Sequence, residues 1–369
     1  MKVCHFTSVH NWNDIRIFQK ECVSLAKGGY EVHLVAGNCS NELIKGVHIH
    51  GVKLAHKSRF DRMWKSSKLI FQKALSIDAD IYHFHDPELL RFALKLKRKG
   101  KIVIYDAHED LPKQIKGKYW INKYLRSSVA FVIRAYENFV CKRIDGVFTA
   151  TPFIADRFLK VNSNTIAINN FPMLNELENF TPWSEKKNFI CYIGGISEIR
   201  GLSQVVDALE LQNQFHLQLA GPITNGSNNF ENQLKSKKGW ELVNYLGVID
   251  RESVKKVMSE SKVGLVTFLP LPNHVDAQPN KMFEYMSAGI PVIGSHFQLW
   301  KDILEKNNCG ICVDPESPEQ ISKALKQISD DEELAQKMGQ NGREAVLKHY
   351  NWESESTRLL SYYSKFTKC

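Results

Sequence analysis

Asp276-Ala277-Gln278-Pro279-Asn280-Lys281-Met282-Phe283-Glu284-Tyr285-Met286-Ser287-Ala288-Gly289-Ile290-Pro291-Val292 is the most informative run in the chain. Pro279 suits the first turn of a helix, and the spacing predicts a short helix over about 280–288. Gly289 ends that helix and Pro291 forbids its continuation. Asp276 precedes the helix and Glu284 lies inside it, both read as near its N-terminus. There the free N–H groups and the helix dipole favour an anion, and Lys281 adds a positive charge. Such a loop can hold a diphosphate on its amides and hydroxyl groups on its two acids.

Working outward, Val263–Phe268 reads as the strand before this run and Pro291–Ile293 as the strand that closes it. Apolar runs of strand length recur on both sides, separated by stretches of helical spacing. Phe189–Ile193, Phe215–Ala220, Leu242–Leu246 and Ile311–Val313 complete the C-terminal set, which ends in helices over about 331–348 and 352–366. Toward the N-terminus, Lys2–Thr7, Glu31–Ala36, Val47–Val52, Ile81–Phe84, Lys101–Tyr105, Gly146–Ala150 and Thr165–Asn169 read as strands. Helices are predicted between them, including one from Asp14 to Lys27 and a longer one from Tyr124 to Lys142. Phe171-Pro172, Thr181-Pro182 and Ser184 interrupt any periodicity over 171–187, which predicts a linker. The expected fold is α/β: two doubly wound, Rossmann-like domains, each a parallel sheet with helices on both faces. A chain of 369 residues is also too long for one ordinary core. Doubly wound sheets bind ligands beyond the carboxyl ends of their strands, where the strand order reverses. Two of them facing each other make a cleft.

A second informative segment is Tyr192-Ile193-Gly194-Gly195-Ile196-Ser197-Glu198-Ile199-Arg200-Gly201, which joins a strand to a helix starting near Gly201. Small residues let a ligand approach the backbone, and the Arg200 guanidinium suits phosphate oxygens. The glycine spacing fits neither a dinucleotide fingerprint nor a P-loop.

Together these segments resemble the retaining glycosyltransferases of family 4, which have the GT-B fold. Asp276 and Glu284 stand at the spacing of that family's motif of two acids separated by seven residues, and Phe283–Val292 is similar to its consensus. Ser8-Val9-His10, Asp14-Ile15-Arg16-Ile17-Phe18, His83-Phe84-His85-Asp86-Pro87-Glu88-Leu89-Leu90, Tyr105-Asp106-Ala107-His108-Glu109-Asp110 and Tyr350-Asn351-Trp352 extend the likeness, toward a bacterial surface-polysaccharide branch. The resemblance implies that the C-terminal helix crosses back to the first domain. That gives an acceptor-binding domain of residues 1–172 plus 352–369 and a nucleotide-sugar donor-binding domain of 173–351. It further implies that Glu284 holds the donor's ribose hydroxyls, Asp276 the transferred sugar's hydroxyls and Arg200 the diphosphate. His108 faces the sugar and the reacting centre. Gly194, Gly195, Gly221, Asn280 and Lys281 complete the donor set, and His10, Asp14, Arg16 and His85 are assigned to the acceptor side. The implied reaction moves a sugar, as a hexosyltransferase does, from a UDP- or GDP-sugar to a saccharide acceptor, without metal or further cofactor. Three positions depart from the family's pattern. Asp276 replaces a glutamate, Gly195 stands where many members carry a second arginine, and His10-Asn11-Trp12-Asn13 replaces a Gly-Gly loop.

Charge is unevenly spread. Residues 1–170 carry 28 Lys and Arg against 15 Asp and Glu, whereas 171–369 carry 21 against 25. The cations of the first half interleave with aromatic and aliphatic residues in two clusters. One holds Lys57, Arg59, Arg62, Lys65 and Lys68 with Phe60, Met63, Trp64, Leu69 and Phe71. The other holds Lys113, Lys116, Lys118, Lys123 and Arg126 with Ile115, Tyr119, Trp120, Ile121 and Tyr124. This mixture suits an anionic membrane surface, and no nucleic-acid motif accompanies it. An acceptor carried on polyprenyl diphosphate at the inner face of the plasma membrane accounts for both the clusters and the domain that bears them. No stretch reaches the ~18 apolar residues that span a bilayer, and eight scattered cysteines suggest reduced thiols in a cytoplasmic protein.

Other constellations have duller readings. His83 and His85 share a strand face beside Asp86, but no paired spacing supplies further metal ligands. His48 and His50 suit an exposed strand face. Cys309-Gly310-Ile311-Cys312 leads into a strand instead of a helix, which makes it structural. Asp78-Ala79-Asp80 precedes its strand, the wrong end for a ligand. The rivals to a transferase are a nucleotide-sugar epimerase or phosphorylase of GT-B architecture and a non-catalytic nucleotide-sugar-binding protein.

Overall fold

The computed structural model describes residues 1–55, 61–117, 121–176, 181–223 and 229–366. It divides into two compact units, Met1–Asn170 with Trp352–Cys369, and Phe171–Asn351. Lys57, Arg59 and Phe60 of the first basic cluster, and Lys118, Tyr119 and Trp120 of the second, lie outside the described residues.

The first unit is built on an eight-stranded sheet in the order β3-β4-β2-β1-β5-β6-β7-β8. Its strands are β1 (Lys2–Phe6), β2 (Glu31–Gly37), β3 (Glu42–Ile44), β4 (Val47–Val52), β5 (Ile81–Phe84), β6 (Ile102–Ala107), β7 (Gly146–Thr149) and β8 (Thr165–Ala167). All pairs are parallel except β3 with β4, a hairpin not anticipated from the sequence. The interior strands are near-continuous apolar runs because helices cover both faces. The sheet order reverses at β1, between β2 and β5.

The predicted helix over 14–27 begins differently. Asp14 caps it by accepting from the Arg16 and Ile17 amides, but Ile15–Cys22 is wound as a π-helix before Val23–Lys27 becomes α-helical. Arg16, Lys20 and Glu21 lie buried along with Ile17, Phe18 and Cys22. Lys20 and Glu21 follow Ile17 by three and four residues and share its inner face; their charge, not their spacing, hides this from a sequence reading.

The last helix, Trp352–Ser364, belongs to the first unit. Trp352, Leu359, Tyr362 and Tyr363 are its buried apolar face, and the Trp352 indole N–H donates to Ser24 Oγ at 3.0 Å. Gly146 in β7 has no room for a side chain, because a Cβ there would meet the Tyr362 hydroxyl at 2.0 Å.

The second unit is a six-stranded parallel sheet ordered β11-β10-β9-β12-β13-β14. The strands are β9 (Phe189–Ile193), β10 (His216–Ala220), β11 (Val243–Gly247), β12 (Val263–Val266), β13 (Val292–Ser295) and β14 (Gly310–Val313). The order reverses at β9, between β10 and β12. Leu202–Gln212, Arg251–Glu260, Asn280–Ser287, Pro318–Asp330 and Glu332–Lys348 are the main helices. Pro318–Asp330 is hard to separate in the sequence because it abuts the next helix with only Asp331 between them.

Candidate active site

The decisive run folds as an eight-residue helix, Asn280–Ser287, with Pro279 at its N-cap position. Glu284 therefore lies in the second turn of the helix, not at its N-terminus. The loop before it is pinned from beneath, where the buried Trp300 indole N–H donates to the Ala277 carbonyl at 2.7 Å. Tyr285, fully buried, reaches across to accept from the Ile193 amide at 3.0 Å, tying this helix to the end of β9. Gly264 in β12 makes room for that ring, since a Cβ there would lie 2.2 Å from it.

Lys281 turns back over the end of β9. Its Nζ sits 3.7 Å from the centre of the Tyr192 ring and 5.4 Å from that of Phe268. The guanidinium of Arg200 covers Phe268 at 4.0 Å. Phe268, just beyond β12, thus lies against two cations, Arg200 from the segment after β9 and Lys281 from the Asn280–Ser287 helix. Burial, and then the charge of Arg200, pulls the Lys281 ammonium well below the usual lysine range, while Glu284 opposes the shift. Among the described residues no carboxylate lies within 4.0 Å of Lys281 Nζ. Two cations brought onto one aromatic ring, one of them in a desolvated position, form a receptor for an anion.

The glycines complete the cradle. Gly194 and Gly221 both have positive φ, and their loops touch: a Cβ on Gly221 would lie 2.1 Å from the Gly194 carbonyl oxygen, and one on Gly194 3.0 Å from Lys281 Nζ. Any side chain here would fill the ground beside Lys281. Gly195 borders open space. Asp276 is half-buried in the loop and Asn280 is exposed at the first helical turn.

Glu284 has a partner that the sequence did not suggest. Arg251 donates to Glu284 Oε1 at 2.8 Å and to Glu176 Oε1 at 2.7 Å, bridging the linker to the helix. Arg251 opens its own helix behind the Asp250 cap. A lone arginine at a helix start carries no signature, so spacing alone could not have found it. Phe268 escapes notice for a similar reason, as an apolar residue at the end of a strand.

In the first unit the candidate residues gather beyond β1, β5 and β6, at the reversal of strand order. Asp86 is the organiser: it accepts from the Ser8 amide at 2.6 Å and the Thr7 hydroxyl at 2.8 Å, fixing the loop after β1. His10 pairs with Asp14 at 3.3 Å, and this hydrogen bond raises its pKa against the effect of burial. The His10 and His108 rings lie 5.0 Å apart, and His108 Nε2 is 2.9 Å from the buried Asp106. His10, Asp14 and His108 keep partial access to solvent.

Arg16 and His85, assigned to the acceptor side from the sequence, lie beneath this surface. Arg16 grips both oxygens of Asp106 at 2.9 and 2.8 Å and donates to the Ile168 carbonyl. His85 is enclosed between His5 and Asp106, and burial takes its pKa down to about 4. Both are supports for His108. Arg16 reaches inward to Asp106 from the Asp14-capped π-helix, and His85 lies just past the buried end of β5.

Glu21, His83, His85 and Asp106 can bring ligand atoms within 4.8 Å of one another, and both Glu21 oxygens and His83 Nε2 lack a hydrogen-bond partner. The Arg16 guanidinium already occupies the same space, 3.2 Å from Glu21. Burial and the neighbouring Asp106 push the Glu21 carboxyl well above the usual range. A shared proton fits this cluster better than a second cation beside Arg16.

Comparison with known proteins agrees with the geometry. Residues 175–345 match the family model described as glycosyl transferases group 1, and residues 20–170 match that of Glycosyltransferase Family 4. The chain is a glycosyltransferase of the GT-B type. Among solved structures, the glycosyltransferase is similar to sucrose-phosphate synthase from Thermosynechococcus elongatus, with a TM-score of 0.80 and 17% identity, covering 100% of this chain and 99% of that one. HepE from Anabaena in complex with UDP gives 0.74 and 12% identity, covering 99% and 100%. A glycosyltransferase from Rickettsia africae gives 0.72 and 17% identity, covering 100% and 98%. No curated protein sequence matches the glycosyltransferase.

Proposed function

We propose that the glycosyltransferase moves a hexose from a nucleotide-sugar donor to a saccharide carried on polyprenyl diphosphate, with retention of anomeric configuration, in cell-surface polysaccharide biosynthesis. The observation that carries the donor half is the pair of cations, Lys281 and Arg200, gathered on Phe268 beside the glycine cradle. The complexes of HepE with UDP and with UDP-glucose support a UDP-sugar as donor.

The donor's diphosphate takes the charge of Lys281 and Arg200 and approaches the amides at the start of the Asn280–Ser287 helix. Its negative charge grows as the bond to the sugar breaks, and preorganised cations in a desolvated site favour that growth. Glu284 accepts from the ribose hydroxyls, which requires it to share or release Arg251. Asp276 accepts from hydroxyls of the transferred sugar. Both described acids of the donor site, Asp276 and Glu284, are thus committed to hydroxyl contacts instead of to a covalent sugar intermediate. We therefore assign a front-face substitution: the acceptor oxygen attacks from the side the diphosphate leaves, and a departing phosphate oxygen takes its proton. His108, oriented by Asp106, is the first unit's contribution to the reaction, with His10 and Asp14 as its acceptor-facing groups. A membrane-carried acceptor sets the enzyme to work on the cytoplasmic side of an anionic bilayer.

Proton NMR of a reaction between an α-linked UDP-sugar and a polyprenyl-diphosphate saccharide tests this reading. An α-linked product and free UDP support it. A β-linked product, or a converted nucleotide sugar with no sugar on the acceptor, contradicts it.

A further inference from the structure

The Arg126–Cys141 helix of the first unit is apolar on two sides. Its inner face, with Ala130, Val140 and Cys141, is buried, as the core requires. Its outer face carries Phe131, 73% exposed, Val132, 64%, and Phe139, 50%, with Tyr136 alongside. Tyr124 and Leu125, 79% and 56% exposed, extend the same surface past the helix start. Steps of four residues relate Phe131 to Ala135 and Phe139, and Val132 to Tyr136, so these groups form one stripe. A helix apolar all round is normally covered all round. Contiguous exposed apolar surface of this kind marks an interaction site.

The charges around the stripe have one sign. Lys123, Arg134, Lys142 and Arg143 are exposed at its margins. The one acid between Lys123 and Arg143 is Glu137, which is buried and paired with Arg157 at 2.9 Å. Arg143 stacks on Phe139 at 3.8 Å, and with Lys142 and Lys160 it lines a groove of about 410 Å3 at the C-terminal end of the helix. We infer that this helix face seats the enzyme on an anionic lipid bilayer, with Phe131, Val132 and Phe139 entering the headgroup region and the cations meeting lipid phosphates. At 16 residues with cations at both ends, the helix lies in the interface, and no helix of the described residues is long and apolar enough to cross a membrane. A second copy is the poorer occupant, because a two-fold contact sets the same four cations against themselves. The face takes in Lys123 and Tyr124 from the end of the second basic cluster noted in the sequence, but it is apolar first and basic at its rim.

The choice of occupant draws on the proposed membrane-carried acceptor, but the test is separate from it. The purified full chain is sedimented with vesicles of phosphatidylcholine alone or with phosphatidylglycerol added. Wild type is expected to bind the anionic vesicles and to bind the neutral ones weakly. Phe131→Ser, Val132→Ser and Phe139→Ser combined should lower binding by about tenfold or more. Arg134→Gln, Lys142→Gln and Arg143→Gln combined should lower it by about fivefold for each cation removed. Both variants should keep the wild-type melting temperature, as exposed positions allow. Wild-type vesicle binding by the serine variant overturns the proposal, as does a wild-type dimer that the serine changes dissolve while no vesicle binding is seen. Vesicle binding without any glycosyl transfer leaves this seat standing and removes the proposed function; transfer to a soluble acceptor with no vesicle binding does the reverse.

Discussion

Lys281 is held where a free ammonium is costly, against Tyr192 and Phe268 and near Arg200. That cost is what an incoming diphosphate relieves. The unliganded lysine loses its proton at lower pH than an ordinary lysine, and a bound diphosphate restores the ordinary preference for the charged form. Between those two pKa values nucleotide binding takes up a proton, so affinity falls as pH rises through the window. Calorimetry of UDP binding in buffers of different ionisation enthalpy should show that uptake. Lys281→Met should remove it and weaken binding by about 10- to 100-fold. An affinity that does not change with pH contradicts this reading of Lys281. The lysine itself was legible in the sequence, because the helix dipole disfavours a cation at a helix start unless an anion joins it there. Its aromatic bed and the Arg251 clasp on Glu284 were not, since both depend on loops distant in the chain.

Among the elements, the strands were largely legible because buried parallel strands are short, apolar and bounded by turns. The π-helix over Ile15–Cys22 was not, because its wider turn leaves no separate mark on the apolar spacing. The last helix was legible as a helix, but its role as a clamp on buried histidines was hidden. The Tyr363 hydroxyl lies 2.6 Å from His83 Nδ1 and 3.3 Å from His5 Nε2, all three side chains fully buried. Tyr363→Phe should therefore destabilise the first unit by about 1–3 kcal/mol, the cost of leaving buried polar groups unmatched. Glu355, on the same helix, accepts from the Asn169 amide at 3.1 Å and from its side chain at 3.0 Å. Glu355→Ala should cost a similar amount, about 1–3 kcal/mol. Urea unfolding followed by circular dichroism measures both, and an unchanged midpoint in either variant contradicts the assigned contact.

The whole molecule joins two units with separate hydrophobic clusters. The surplus of positive charge over residues 1–170 belongs to the unit that carries the proposed lipid-facing helix, while the other unit concentrates a few cations at the donor cradle. Ligand that binds one folded unit raises the stability of that unit. In differential scanning calorimetry UDP should raise one of two transitions, and a chain ending at Asn351 should keep that transition while losing the other. Two domains were legible from chain length and the linker prolines. The acceptor was not, because specificity depends on a few contacts that spacing does not encode.

The central claim is that the Asn280–Ser287 helix and its cradle turn over a nucleotide sugar. The direct measurement is transfer of labelled sugar from UDP- and GDP-sugars to a polyprenyl-diphosphate saccharide by wild type and Glu284→Ala. Wild type should transfer from at least one donor, and Glu284→Ala should be slower by about 100-fold or more at an unchanged melting temperature. Transfer at the wild-type rate by a folded Glu284→Ala enzyme would contradict the account.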